Sequence, residues 1–491
     1  MRIFPTRIGI ALLVTLCGPG FAGTNFPARG EEQFVFETWG KQKIEAFKGS
    51  FAVPENRRIE DGRSIKIGYV RLPATGAVAT PPIVYLAGGP GGSGIAAINY
   101  RTRMFMEMRK HGDVIALDQR GTGVSNVLPT CTSNQQAPTV ERVSDRAYAA
   151  AQRAALKDCL SFWREKSVDL SAYNTLENAR DLDALRVHLG AENIVLWGVS
   201  YGSHLALAAL KEPDVRIAKV LISSVEGLDQ TIKLPSGADR YFDRLQRAID
   251  GQPTAKAAFP DIKALMRRVH ARLERKPLLI RLKSRTDAPR DFLLHRRDMQ
   301  LLSATLIADP ESVIHLLSIY RALDLGETPS FDSIPRRLLP DNLSAAGEPI
   351  SFDAMPVAMD IASGMTGQHR ARVIREAKKA LLGEYLDYTF LFDGMVPELD
   401  LGDSFRINPR SAVPVLVLSG TLDGRTVFES QREAVRGLEK ATMITVANAG
   451  HNLFDRPSPE MLEIMHAFMD GDAVADSTIA VELPDFAPRN P

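Results

Sequence analysis

The chain holds 491 residues, 45% hydrophobic and 24% charged, enough for one large domain with an insertion or for two or three smaller ones. Its 60 basic and 59 acidic residues leave a net charge of +1, and no Lys/Arg cluster is interleaved with aromatics, which argues against a nucleic-acid partner. There is no low-complexity tract and no repeat period. At the N-terminus, Arg2 and Arg7 flank the start of an apolar run over residues 8–17, and small residues follow, ending in Gly20-Phe21-Ala22. This pattern predicts an export signal over residues 1–22, cleaved after Ala22, and hence a periplasmic or extracellular protein. The apolar run is too short to span a bilayer comfortably, so no membrane anchor is expected.

Beyond the signal, "IEAFKGSFAVPEN" and "RSIKIGYVRLPA" alternate apolar and polar residues around Asp61-Gly62, which predicts a hairpin. Apolar runs of strand length then alternate with helical stretches. "PPIVYLAGGPGG" leads into a helix, "DVIALDQRGTG" follows, and "TLENARDLDALRVHLG" reads as a helix closed by Gly190. "NIVLWGVS" runs into the helix-like "YGSHLALAALKE", and "IAKVLISS" comes next. Near-continuous apolar strands separated by helices predict an α/β fold with a doubly wound, mostly parallel sheet. The alternation stops after Ser224 and resumes at "VPVLVLSGTLDGR", with a helix, "ATMITVANAGHNLF" and a last helix over 459–469. The expected organisation is a core over 31–225 and 406–475, a large helical cap over 226–405, and a C-terminal tail over 476–491.

"GVSYG" places Ser200 between Gly198 and Gly202 at a strand-to-helix joint. Gly-x-Ser-x-Gly in that setting is the nucleophile elbow, where a strained turn exposes the serine and side chains two places away would clash. An alcohol needs a base, and the base an orienting acid, in the chain order Ser, Asp or Glu, His. Asp423 and His451 each lie just past the end of a predicted strand, where loops of an open α/β sheet converge. His204, on the elbow helix, and His188 read as surface or packing residues. The oxyanion calls for two backbone amides, for which Tyr201, after the serine, and Gly89, in "LAGGPGGSG", are the candidates. That glycine loop lacks the Gly-Lys-Ser/Thr ending and the G-x-G-x-x-G spacing of nucleotide sites. In "LDQRGTGVS", Asp118 and Arg120 read as a structural charge pair. With no H-E-x-x-H and no spaced Cys/His set, neither a metal nor another cofactor is implied. Loss of Cys17 with the signal leaves Cys131 and Cys159, an even count that suggests a disulfide; the other reading is two buried thiols.

The ordered set "AGGPGGSG", "DQRGTGVS", "GVSYGS", "SGTLDGRT" and "AGH" resembles the α/β-hydrolase superfamily, and within it the proline iminopeptidase / tripeptidyl aminopeptidase-like serine peptidases. The likeness covers roughly 45–225 and 405–470. It implies an α/β-hydrolase fold, a Ser200–Asp423–His451 triad, a lid over the site, and release of residues from peptide N-termini. Exported members often carry cysteines at positions that match Cys131 and Cys159. Two positions depart from the pattern: Ala87 stands where iminopeptidases usually have a histidine, and "LDGRT" lacks the proline that tends to follow the acid turn in tripeptidyl members. An aminopeptidase must also hold a free ammonium, for which Glu226 and Asp360 are lid candidates. The substrate expected is therefore a peptide or a small acyl compound. The other readings are a carboxylesterase with the same triad and a catalytically inactive binding protein on the same fold.

Overall fold

The computed structural model describes residues 30–76, 80–283, 289–331 and 334–488, so the export signal expected over residues 1–22 lies outside the described residues. In chain order the strands are β1 Glu32–Glu37, β2 Lys43–Pro54, β3 Ser64–Leu72, β4 Ile83–Leu86, β5 Val114–Leu117, β6 Cys131–Gln136, β7 Ile194–Val199, β8 Ile217–Ser223, β9 Leu278–Lys283, β10 Pro289–Leu294, β11 Pro349–Phe352, β12 Val415–Gly420, β13 Ala441–Ala447 and β14 Ser477–Ala480. Ten of them form one sheet in the order β1-β2-β3-β5-β4-β7-β8-β12-β13-β14. The hairpin predicted around Asp61-Gly62 is the antiparallel pair β2–β3. From β5 to β14 every neighbouring pair is parallel.

Strands β4, β5, β7 and β12 are buried at every position, as strands covered on both faces must be. Alternate residues serve the two faces. Val84, Leu86, Leu196 and Val417 pack with helices Asp145–Glu165, Thr175–His188 and Tyr201–Ala209. Ile83, Tyr85, Val195 and Leu416 pack with helices Thr102–Met108 and Pro459–Asp470 on the other side. This is the doubly wound sheet that the apolar runs predict.

The segment between β8 and β12 is the insertion. Helices Pro235–Asp250, Ile262–Arg275, Arg296–Leu306 and Pro310–Leu325 share a core of their own around Tyr241, Leu245, Met299 and Tyr320. It is not purely helical. β9 and β10 form an antiparallel hairpin, and β11 pairs with β6, Phe352 opposite Cys131. Strands of four to six residues carry too little periodicity to stand out from broken helix. The segment read as a tail also contains a strand: β14 closes the sheet edge beside β13, and Phe486 is buried in the insertion's core. Only Ile479 of β14 is buried, so the sequence shows no alternation to read there.

Cys131 on β6 is bonded to Cys159 on helix Asp145–Glu165, with Cα atoms 5.5 Å apart and a separation of 28 residues. The bond anchors the strand that carries β11. Replacing both cysteines by serine is expected to lower the unfolding free energy by about 2–4 kcal/mol in chemical denaturation.

Candidate active site

β7 ends at Val199, and Ser200 adopts φ 54°, ψ −125° before helix Tyr201–Ala209 begins. A left-handed φ on a serine is strained, by about 1–3 kcal/mol, and the surroundings enforce it. A Cβ on Gly202 would stand 2.0 Å from the Leu86 carbonyl oxygen, and one on Gly198 would stand 2.5 Å from the Gly202 oxygen. β4, β7 and the helix therefore approach each other through bare backbone. The Ser200 amide donates to the Ser223 carbonyl at 3.2 Å, and its carbonyl accepts from Ser203 N at 2.8 Å and Ser203 Oγ at 2.5 Å.

Asp423 and His451 follow β12 and β13, whose parallel register sets their loops side by side. The Asp423 side chain is fully buried and accepts at one oxygen from Arg425 N and Thr426 N, both 2.8 Å. The other oxygen accepts from Thr426 Oγ1 at 2.6 Å, Gln431 Nε2 at 3.3 Å and His451 Nδ1 at 2.9 Å. Gln431 is oriented for this, because its oxygen already accepts from Ser419 Oγ and Val225 N. Burial would raise the Asp423 pKa, but the His451 charge and the hydrogen bonds from His451 and Thr426 outweigh it and hold the carboxyl below its ordinary value. An ionised carboxylate only accepts, so the Nδ1 proton sits between the pair. With its proton on Nδ1, the ring can offer the Nε2 lone pair, the form a general base needs.

Ser200, Gly89 and His451 line one cavity of about 880 Å³. The glycine loop lies against the elbow, since a Cβ on Gly88 would be 3.1 Å from Ser200 Cβ. Among the described residues, neither the Gly89 nor the Tyr201 amide donates to another protein group. Such amides at a helix N-terminus and a neighbouring turn can receive a developing oxyanion.

The insertion supplies further lining of this cavity. Glu226, Asp360 and Asp387 line the same cavity together with Lys233. Lys233 Nζ bonds Glu226 Oε2 at 2.7 Å, its amide donates to Asp387 Oδ2 at 2.7 Å, and Thr389 Oγ1 donates to Asp360 at 3.1 Å. Burial pulls the Lys233 pKa down, but the charges of Glu226 and Asp387 outweigh it and keep the ammonium. Burial, with Glu226 and Asp387 nearby, pushes Asp360 up to about 7 against the opposing pull of Lys233. Three carboxyls thus share the cavity with the Lys233 ammonium and the Arg425 guanidinium. Lys233 and Asp387 escape a reading of the sequence because isolated charges on an insertion look solvated.

Asp118 and Arg120 do not pair with each other. Asp118 accepts from Ser93 Oγ, Ile95 N and Val124 N, fixing the glycine loop's helix, while Arg120 grips Asp181 and the carbonyls of Glu55 and Ala172. Both lie beyond β5, where the chain has left the strand and turns, so period-2 alternation no longer sets their directions and closeness in sequence does not pair them. His188 stacks on Phe51, and His204 is buried between the Gly227 carbonyl and Ser363 Oγ, its pKa lowered by burial.

Gly202→Ala is expected to cost about 1–3 kcal/mol through overpacking against Leu86, where the same change in an exposed helix would stabilise. Denaturant titration of the variant checks the sign.

Residues 81–456, most of the chain, match the family described as alpha/beta hydrolase fold. The chain is 30% identical over 188 residues to a tripeptidyl aminopeptidase of Streptomyces lividans, covering 36% of this chain and 35% of that protein. It is 27% identical over 184 residues to the serine protease Hip1 of Mycobacterium tuberculosis, covering 36% of this chain and 35% of that one. The matched stretch thus spans about a third of the length of these relatives. Among solved structures, a thermophilic esterase from Thermogutta terrifontis aligns at 15% identity with a TM-score of 0.37, covering 86% of this chain and 98% of that one. With a mostly parallel sheet, a strand-serine-helix elbow and a family match across both sides of the insertion, the chain belongs to the α/β-hydrolase family.

Proposed function

We propose that the chain is an exported serine hydrolase that cleaves peptides from a free N-terminus. Ser200 is the nucleophile. Nε2 of His451 takes the hydroxyl proton as Oγ bonds to the scissile carbonyl carbon, and Asp423 stabilises the imidazolium. The carbonyl oxygen becomes an oxyanion received by the amides of Gly89 and Tyr201, a contribution of about 10²–10³ in kcat per donor. His451 then returns the proton to the leaving amine, and the C–N bond breaks to give an acyl-enzyme. Water, deprotonated by the same ring, releases the acyl group and restores Ser200.

The observation that favours amine-bearing substrates is the cluster of Glu226, Asp360 and Asp387 on the cavity that Ser200 lines. Against Lys233 and Arg425 in the same cavity, the three carboxyls leave a net negative charge for a substrate ammonium once Asp360 is ionised. Export is supported by the disulfide, since such bonds persist in oxidising compartments. No helix among the described residues is long and apolar enough to cross a membrane.

The test is turnover of peptidyl naphthylamides, their N-acetylated forms and p-nitrophenyl esters by the purified protein. Free-amine amides should be preferred; ester turnover without amide turnover would move the reading to a carboxylesterase. Glu226→Gln and Asp360→Asn should raise KM for free-amine peptides about tenfold to a hundredfold, the worth of a charge-assisted hydrogen bond, and leave N-blocked substrates unchanged. Equal losses on both would contradict the ammonium site. Because Asp360 gains its charge as pH rises through about 7, KM for free-amine peptides should fall across that range. It should rise again as the substrate amine loses its proton near pH ~8. Asp360→Asn should flatten the first limb.

A further inference from the structure

Helix Pro310–Leu325 begins with Asp309 at its N-cap and Pro310 in the first turn, yet the Asp309 side chain makes no capping hydrogen bond. An N-cap aspartate ordinarily turns its carboxylate onto the free amides of its own first turn. Here the backbone carbonyl of Asp309 takes the free Ser312 amide at 3.0 Å, besides the ordinary first helical bond from Val313 N at 3.3 Å. Both side-chain oxygens go elsewhere: Oδ1 accepts from Asn452 N at 3.0 Å, and Oδ2 accepts from Asn452 Nδ2 at 2.5 Å. Asn452 is the residue after His451.

Its two neighbours reach the same loops. The Ala308 carbonyl accepts from His451 N at 2.8 Å, and the Ile307 carbonyl accepts from Gly424 N, next to Asp423, at 3.0 Å. The contact is close enough to require bare backbone. A Cβ on Gly450 would lie 2.5 Å from Asp309 Oδ1, and one on Gly424 would lie 2.4 Å from the Ile307 oxygen. Thus the glycine before the histidine and the glycine after the aspartate are the points where this turn presses in. Burial raises the Asp309 pKa, while the Asn452 hydrogen bonds and the His451 charge oppose that rise, so its carboxylate is close enough to feel the ring.

We infer that the insertion's turn at Ile307, Ala308 and Asp309 is a clamp on the acid and base loops, with Asp309 a positioning residue for His451 acting through Asn452. The inference rests on the assignment of His451 as base under Proposed function. It carries a consequence for the cap: this part cannot swing away from the sheet without releasing both loops, so substrate must enter past other elements of the cap.

The pairing can be reversed. As single variants, Asp309→Leu removes both acceptors and Asn452→Asp sets two carboxylates together. Asp309→Asn alone could keep both bonds through a flip of the Asn452 amide, so the double variant combines Asp309→Asn with Asn452→Asp. The double variant restores one donor–acceptor pair of opposite polarity. With p-nitrophenyl ester as substrate, each single variant should lose about tenfold to a hundredfold in kcat with KM changed less than about threefold, because small misplacement of a base costs that much. The double variant should recover kcat to within about fivefold of wild type. Single variants with wild-type kcat, equal shifts in kcat and KM, or no recovery in the double variant would overturn the clamp while leaving the hydrolase reading intact. A wild-type protein that turns over neither ester nor peptide would remove both proposals together. Should a single variant fail to fold, a folded double variant with near wild-type kcat still supports the pairing, and a folded but inactive one overturns it.

Discussion

The site depends on keeping Asp423 ionised where no water reaches it. Burying a lone carboxylate costs several kcal/mol, and only converging donors offset the cost. Here the two amides of its own turn, the Thr426 hydroxyl, the Gln431 amide and the His451 ring converge on it. The arrangement is local in sequence on one side, over residues 423–426, and distant on the other. The distant part requires β12 and β13 to be adjacent and parallel, so that two loops meet at one sheet edge. The doubly wound sheet meets that requirement. Because the carboxylate can only accept, it selects the ring tautomer, and under the proposed function the tautomer decides which nitrogen acts as the base.

The insertion takes part in the site as well as covering it. Its acids, Asp360 and Asp387, line the same cavity as the glycine loop, with Glu226 at the junction where the insertion leaves β8. One end is stitched to the core by β11 on β6, beside the buried disulfide, and another by Phe486 beyond β14. His204, on the elbow helix, bonds Ser363 at the end of helix Ala354–Ser363, so a neutral ring links the two elements that carry Ser200 and Asp360. The cap is thus tied to the core at several separate points.

Much of this is legible in the amino-acid sequence. The apolar runs around Val84, Leu196 and Val417 predict the parallel sheet because a strand covered on both faces has no polar side to show. Ser200 stands out because Gly198 and Gly202 mark a close backbone approach, and Asp423 and His451 because strand ends alone put loops on one edge. Short strands did not show: β11 and β14 have four residues each, and four residues do not define a period. Charged residues were the least readable. Asp118 and Arg120, two residues apart in one motif, serve different partners because the chain turns between them. Asp309 before Pro310 has the look of an ordinary helix start, and only its orientation reveals that it faces Asn452.

The most direct measurement of the central claim is covalent labelling with a fluorophosphonate probe, the adduct located by peptide mass spectrometry and its rate followed in His451→Ala. The account predicts a single adduct on Ser200, absent in Ser200→Ala and slowed by orders of magnitude without the imidazole. An adduct on another residue, or a Ser200 adduct forming at the wild-type rate without His451, would contradict it.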